Sequence, residues 1–386
     1  MIYLDANATT PLLPEVLDAM LPWMCEGFAN PSGSYVAAKL ARRVIDEART
    51  RVAELIGAEP DEIVFTGGGT ESVNTALHSL DRLVGPGAAV VSAIEHSAVL
   101  RCVENLTRET RLVGVDAGGR LDLEAFASAL QGAAMVSLMT ANNETGVIQP
   151  WREAVELAHE RGLPVHSDAI QAAGKIPLAV RESGVDLLSL SAHKFHGPKG
   201  VGALYLRRGL RFEPLLRGGG QETGRRGGTE NTAGIVGMGA AAQCMLRHLK
   251  KAAEHPVSSP RDVFEAKVMA ETSGVTVNGD TSHRLANTSH LSFDQCDAPG
   301  LLILLDEAGL ACSAGSACLT GKPKPSHVQL AMGIPEKRAK TSLRFSFSML
   351  NTHQEALAAA DAVKNAVAKL RSVQGPGVGP VVVYAR

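Results

Sequence analysis

Two short stretches carry residues able to do chemistry together. Asp168-Ala169-Ile170-Gln171 and Ser191-Ala192-His193-Lys194 follow the apolar runs Leu163-Pro164-Val165 and Val185 to Leu190, which read as buried parallel strands. A carboxylate and an amine at the ends of adjacent strands suit pyridoxal phosphate. The amine can form a Schiff base with its aldehyde, while the carboxylate keeps the pyridine nitrogen protonated so that the ring draws electrons. Taken singly, Lys194 reads as a solvated surface lysine and Asp168 as an N-cap for the segment from Ala169. The pairing is what points to a cofactor.

Two loops add to the pair. Thr66-Gly67-Gly68-Gly69-Thr70-Glu71-Ser72 joins a strand pattern to a helix pattern, where backbone N–H groups and the helix N-terminus can cradle a phosphate. By itself it is equally an ordinary strand–helix turn, and the absence of Gly-Lys-Ser/Thr sets it apart from a nucleotide-triphosphate loop. Ser313 to Pro323 is small, polar and glycine-rich, and reads as a mobile surface loop. Cys318 lies within it among residues that build no core, so its thiol is positioned for nucleophilic use. Cys312, after Leu310-Ala311, reads as structural.

The elements that must hold these groups alternate along the chain. Residues 36–56 recur near helical spacing, with Gly57 as C-cap. Strands are expected at Ile63–Thr66, Ala88–Ile94, Leu112–Val115, Ala134–Met139, Leu163–Val165, Val185–Leu190 and Val201–Leu206. Helices are expected between them, from Ser72, at Asp122–Leu130 and at Trp151–Arg161. Such alternation predicts an α/β fold, a mostly parallel sheet with helices on both faces. Ligands of such sheets sit beyond the carboxyl ends of the strands, where Thr66, His96, Asn143, Asp168 and Lys194 fall.

A helix over Thr232–Ala253 runs into His255-Pro256 and Pro260, a linker-like composition. The chain therefore divides into a large unit, residues 14–255, and a smaller α+β unit from 1–13 with 256–386, which carries the Cys318 loop. Strands of the latter are expected at Val275–Val277, Thr288–Phe293 and Ser342–Ser346. The 386 residues suffice for both, and 45% hydrophobic with 20% charged residues is ordinary for a globular protein. A net charge of −2 offers no electrostatic argument for nucleic acid or an anionic membrane. No apolar run reaches the roughly 18 residues of a membrane span, and the N-terminus lacks the pattern of a signal peptide. Six scattered cysteines without CxxC favour reduced thiols in a cytoplasm.

The ordered set of motifs resembles the NifS/IscS-type cysteine desulfurases, fold type I pyridoxal phosphate enzymes with an aspartate aminotransferase-like large domain. The resemblance runs nearly end to end. It covers Tyr3 to Pro11, Asn30-Pro31-Ser32, Thr70-Glu71-Ser72, Glu95-His96, Asn142 to Gly146, Asp168 with Gln171, and Ser191 to Lys194. It continues through Gly218 to Glu222, Gly228 to Asn231, Ser313 to Cys318 and Arg344-Phe345-Ser346. It implies that Lys194 is the Schiff-base lysine and proton shuttle, Asp168 the pyridinium partner, and His96 a ring-stacking proton carrier. Gly69, Thr70, Ser191 and His193 would hold phosphate, joined by Thr229 from a second subunit of a homodimer. Asn143 and Gln171 would lie near the ring's phenolic oxygen and the substrate, and Arg344 would clamp the carboxylate of L-cysteine. Cys318 would take the sulfur as a persulfide, leaving L-alanine, and pass it to an acceptor such as an iron–sulfur scaffold protein.

Selenocysteine lyase or aminotransferase chemistry is the rival on the same fold; a transaminase has no use for the Cys318 loop. An inactive partner-binding module would have lost Lys194, Cys318 or Arg344, and all three are present. The chain departs from the family pattern at Tyr35, after Ser346, and in the tail Gly375–Arg386, none of which removes a catalytic position.

Overall fold

A computed structural model describes residues 1–254, 259–314 and 325–374. Cys318 and the tail from Gly375 lie outside the described residues. Among the described residues twelve strands occur in chain order. They are β1 (Ile2–Tyr3), β2 (Ile63–Thr66), β3 (Ala88–Ser92), β4 (Thr110–Val113), β5 (Ala133–Met139) and β6 (Val165–Asp168). These are followed by β7 (Leu187–Ser191), β8 (Gly202–Leu206), β9 (Val275–Val277), β10 (Thr288–Phe293), β11 (Leu310–Ala311) and β12 (Ser342–Ser346).

Seven strands form one sheet in the order β2-β8-β7-β6-β5-β3-β4. Strand β8 alone runs against its neighbours β7 and β2; the remaining pairings are parallel. Alternation sends Ile63 and Phe65 of β2 to one face and Val64 to the other. The first face packs against the helices Pro14–Cys25, Val36–Ile56, Trp151–His159 and Thr232–Glu254. The second is covered by Gly69–Leu83 and Ser97–Val103 through Val73, Leu77, Leu80, Val99 and Val103. With both faces covered, β2, β3, β6, β7 and β8 are buried at every residue; β2, β3, β7 and β8 read as largely apolar runs, whereas β6 buries His166, Ser167 and Asp168.

A second apolar cluster surrounds the three-stranded antiparallel sheet β12-β10-β9. The helix His353–Gln374 turns Ala356, Ala359, Ala360, Val363 and Val367 towards it at helical spacing. The N-terminal segment crosses to this cluster: β1 pairs with β11, Leu4 is buried in it, and Asp5 bridges to Ser346. No helix among the described residues is long and apolar enough to cross a membrane.

Element bounds differ from expectation where glycine and proline mislead. The helix after the glycine loop begins at Gly69 rather than Ser72, because tertiary packing overrides the poor helix propensity of Gly69. Pro260, grouped with the linker by composition, opens the helix Pro260–Glu271, with Ser259 as its N-cap and a capping box to Asp262. Gly57 ends the helix Val36–Ile56 in the left-handed conformation, as the sequence predicts.

Candidate active site

The parallel strands end together. Asp168 is the last residue of β6 and lies in register with Met139 of β5 and Ser189 of β7. Beyond β7 the chain makes a single 3-10 turn, Ala192–Lys194, which swings Lys194 over the sheet edge. The Lys194 ammonium donates to the carbonyls of Asn7 (2.6 Å) and Ala8 (2.9 Å). Burial, and then the nearby Arg344, push its pKa down to about 8. Asp168 is buried and accepts one hydrogen bond, from Ile170 N at 2.9 Å. Burial raises its pKa, while that hydrogen bond and the charges of His96 and Lys194 oppose the rise.

His96 caps the helix Ser97–Val103, its Nδ1 accepting from Ala98 N at 3.1 Å. A neutral His96 therefore carries its proton on Nε2. The mass of protein beneath the ring lowers its pKa, with Asp168 opposing and Lys194 adding to the effect. Asp168, His96 and Lys194 thus feel one another's charge at one strand edge.

The glycine loop abuts this group. A Cβ on Gly69 would clash with Ile170 and come within 3.2 Å of Ser191 Cβ, so the loop and the end of β7 approach as closely as only glycine permits. A Cβ on Gly202 of β8 would lie 2.6 Å from the carbonyl carbon of Gly68. Glu71 stiffens the loop by accepting from Gly67 N (2.7 Å) while paired with Arg226 (2.9 Å). Thr70, exposed in the first turn of its helix, shares with His96 a concavity of about 700 Å³. His193 lies alongside, its Nδ1 at 3.2 Å from Thr9 Oγ1, and burial with Lys194 and Lys199 pushes its pKa down to about 4.

Opposite stands Arg344 of β12, whose side chain donates to Asn143 O (3.0 Å) and Asp5 Oδ1 (2.7 Å). Its backbone exchanges two hydrogen bonds with Ser313, at the root of the segment that leads to Cys318. On the far side of that segment, the hydroxyl of Ser326 donates to Glu144 at 2.5 Å. Cys312 is a free thiol pushed up to about 12 by burial, an inert group beside Arg344.

The site residues expected from sequence thus gather at one place, with three qualifications. Gln171 is committed at both ends of its amide, donating to Asn7 O and accepting from Lys175. Thr229 is exposed and makes no hydrogen bond to the other site residues among the described residues. Its loop is moored by Glu222, which takes both Nη atoms of Arg49 (2.7 and 2.8 Å) and the N–H of Phe65. Cys318 lies outside the described residues.

Sequence reasoning missed Asp5, Asn7 and Lys175 as parts of the site. Asn7 is its hub, since its carbonyl accepts from Lys194 and Gln171 and its amide reaches Asn143 O and Thr288. Asp5 and Asn7 lie within the Tyr3 to Pro11 motif, which marks the segment without saying what its residues touch.

Residues 2–358 match the family model described as aminotransferase class-V. The cysteine desulfurase of Gluconacetobacter diazotrophicus is 45% identical over 379 residues, covering 96% of this chain and 94% of that protein. Among solved structures, a NifS-like protein superposes with a TM-score of 0.88 at 33% identity, covering 95% of this chain and 99% of that one. SspA in complex with cysteine gives 0.79 at 33% identity, covering 90% and 99%. The fold is that of a class-V aminotransferase-type enzyme. Within that class, the chain belongs to the cysteine desulfurase family.

Proposed function

We propose that this chain takes the sulfur of L-cysteine, releases L-alanine, and holds the sulfur as a persulfide on Cys318 until an acceptor protein, such as an iron–sulfur scaffold, receives it. The observation that carries this reading is the gathering of Lys194, Asp168 and His96 beside a glycine cradle, with the Arg344 guanidinium opposite.

The donor set fits pyridoxal phosphate. Gly69 lets the loop close against the end of β7, Thr70, Ser191 and His193 offer donors to a phosphate, and Asp168 keeps a buried carboxylate for the ring nitrogen. When bound, the cofactor supplies an electron sink that makes the substrate Cα proton acidic and the sulfur expellable. Lys194, with its pKa near neutrality, can both give up and take back that proton. His96 holds a proton on Nε2, and Asn143 and Gln171 flank the position of substrate and ring oxygen. Arg344 offers its planar fork to the substrate carboxylate. At Cys318 the thiolate attacks the substrate sulfur: an S–S bond forms, the Cβ–S bond breaks, and its electron pair with a proton completes the methyl group of alanine.

The large unit, 14–255, would hold the cofactor, and the small unit, 1–13 with 256–386, would carry Arg344 and the Cys318 loop. We assign a homodimer in which Thr229 completes the partner's phosphate site. The exposed apolar side chains Met24, Phe28 and Val36 provide a face for it. The described cysteines are all free thiols, in keeping with a cytoplasmic setting.

The test is purified wild type against Cys318→Ala with L-cysteine and a reductant, following alanine, sulfide and cofactor absorbance. Wild type should make alanine and sulfide, while Cys318→Ala keeps the cofactor and loses turnover. Equal turnover would remove Cys318 as sulfur acceptor, and loss of cofactor from both would overturn the reading of Lys194 and Asp168.

A further inference from the structure

Lys175 belongs to no step described so far, yet it reaches into the site. Its ammonium donates to both Gln171 O and Gln171 Oε1, each at 2.9 Å. At its other end the same amide donates from Nε2 to Asn7 O at 2.8 Å, the carbonyl that also accepts from Lys194. An unbroken path therefore runs Lys175–Gln171–Asn7–Lys194.

A lysine ammonium can only donate, and a backbone carbonyl can only accept. The two neighbours of the Gln171 amide thus demand the same orientation: oxygen towards Lys175, NH2 towards Asn7. Reversal would set N–H against N–H at Lys175 and oxygen against oxygen at Asn7, leaving partly buried polar groups unpaired, at about 1–3 kcal/mol each. An amide carries two N–H groups, and Asn7 uses one. The second remains for an acceptor on the cofactor side.

We propose that Lys175 is a positioning residue that fixes Gln171 as a hydrogen-bond donor to the phenolic oxygen of the bound pyridine ring. The proposed effect passes through Gln171, to which Lys175 is hydrogen-bonded. Burial and the charges of Lys194 and Arg344 bring its pKa down to about 7. In the ammonium form it supplies the N–H donors that the two Gln171 oxygens use and has no lone pair to accept from a reversed amide. The proposal rests on the reading of the site as a pyridoxal phosphate site.

The experiment compares binding of pyridoxal phosphate and of its 3-deoxy analogue, which lacks the phenolic oxygen, to cofactor-stripped protein. Wild type should bind the parent about tenfold more tightly than the analogue. Lys175→Met should lose most of that ratio while binding the analogue as wild type does, and Lys175→Arg, which keeps donors, should retain it. Gln171→Ala should lose the ratio too, and adding Lys175→Met to it should change nothing further. A Lys175→Met protein that keeps the ratio overturns the proposal, as does equal weakening for both ligands, the mark of a merely structural lysine. A wild type without discrimination overturns the role of Gln171, and no binding of either ligand overturns the cofactor reading itself. If Lys175→Met does not fold, Lys175→Gln, whose amide lets Gln171 turn either way, should lose at least threefold of the ratio, and an unchanged ratio is equally decisive.

Discussion

Arg344 and Asp5 are joined by an ion pair at 2.7 Å, so the guanidinium proposed to receive the substrate carboxylate already faces one from its own chain. The pair is well shielded, with the Arg344 side chain 5% and that of Asp5 22% exposed. Asp5→Asn keeps an oxygen for the hydrogen bond but removes the competing charge. The expected result is a KM for L-cysteine lowered about threefold, kcat within twofold, and stability reduced by about 3 kcal/mol, the low end for losing one charge of a buried pair. Steady-state kinetics and urea unfolding check this; a raised KM would mean that Asp5 serves to aim the fork.

Gly202 bears on the cradle through backbone alone. Its missing Cβ would lie 2.6 Å from Gly68 C and 2.7 Å from Leu190 O, neither of which can rotate aside. Gly202→Ala should therefore displace the phosphate loop, costing about 2 kcal/mol of stability by overpacking. Pyridoxal phosphate affinity should fall by tenfold or more. Binding titration against thermal unfolding separates the two effects, and unchanged affinity in a folded variant would show that the loop does not hold the phosphate.

Lys194 must be unprotonated to attack an aldehyde, and its pKa is lowered to about 8. The rate at which cofactor-stripped protein regains the cofactor absorbance should rise with pH through 8 and then level off. An ordinary lysine would keep gaining towards about 10.4. A rate still climbing at pH 9.5 would place Lys194 in a solvated setting.

Two histidines make the fold sensitive to acid. Burial pushes His166 and His290 each down to about 3. An unfolded histidine titrates near 6.5, so between 6.5 and 3 the unfolded chain binds protons that the folded chain refuses. Stability should thus fall as pH drops through that window, by up to about 1.4 kcal/mol per pH unit for each histidine. Urea midpoints between pH 7 and 5 measure it. His290→Gln should flatten the slope, whereas a slope unchanged by that variant would assign it to other groups.

Much of this arrangement is legible in the amino-acid order because burial on both sheet faces writes plain apolar runs. Ile63–Thr66 begins and ends where such a run does, and Val275–Val277, Thr288–Phe293 and Ser342–Ser346, which interleave polar residues, also keep their expected bounds. Direction is another matter: β8 reads like its parallel neighbours, since an apolar run carries no mark of which way its strand points. Lys194 and Asp168 declare themselves because Asp168 closes β6 and Lys194 lies one short turn beyond β7. Asn7, by contrast, acquires its role through partners 136 to 339 positions away, beyond the reach of any local pattern. Lys175 is hidden for a related reason, since Gln171 and Lys175 lie four apart in a run of turns, where that spacing does not ordinarily mean contact.

The path of residues 5–10 also has a temporal meaning. During synthesis Asn7 exists long before Asn143, Lys194, Thr288 and Ser346, the groups that receive it. The central sheet can assemble from neighbouring segments as they appear, yet the stretch beneath Lys194 must wait until β12 has been made. Competence to bind cofactor is therefore a late event in the life of each chain. A truncated product ending before Ser342 would keep the strand ends and the glycine loop but lack Ser346, which receives Asn7 N, and Arg344, which reaches Asn143 O and Asp5.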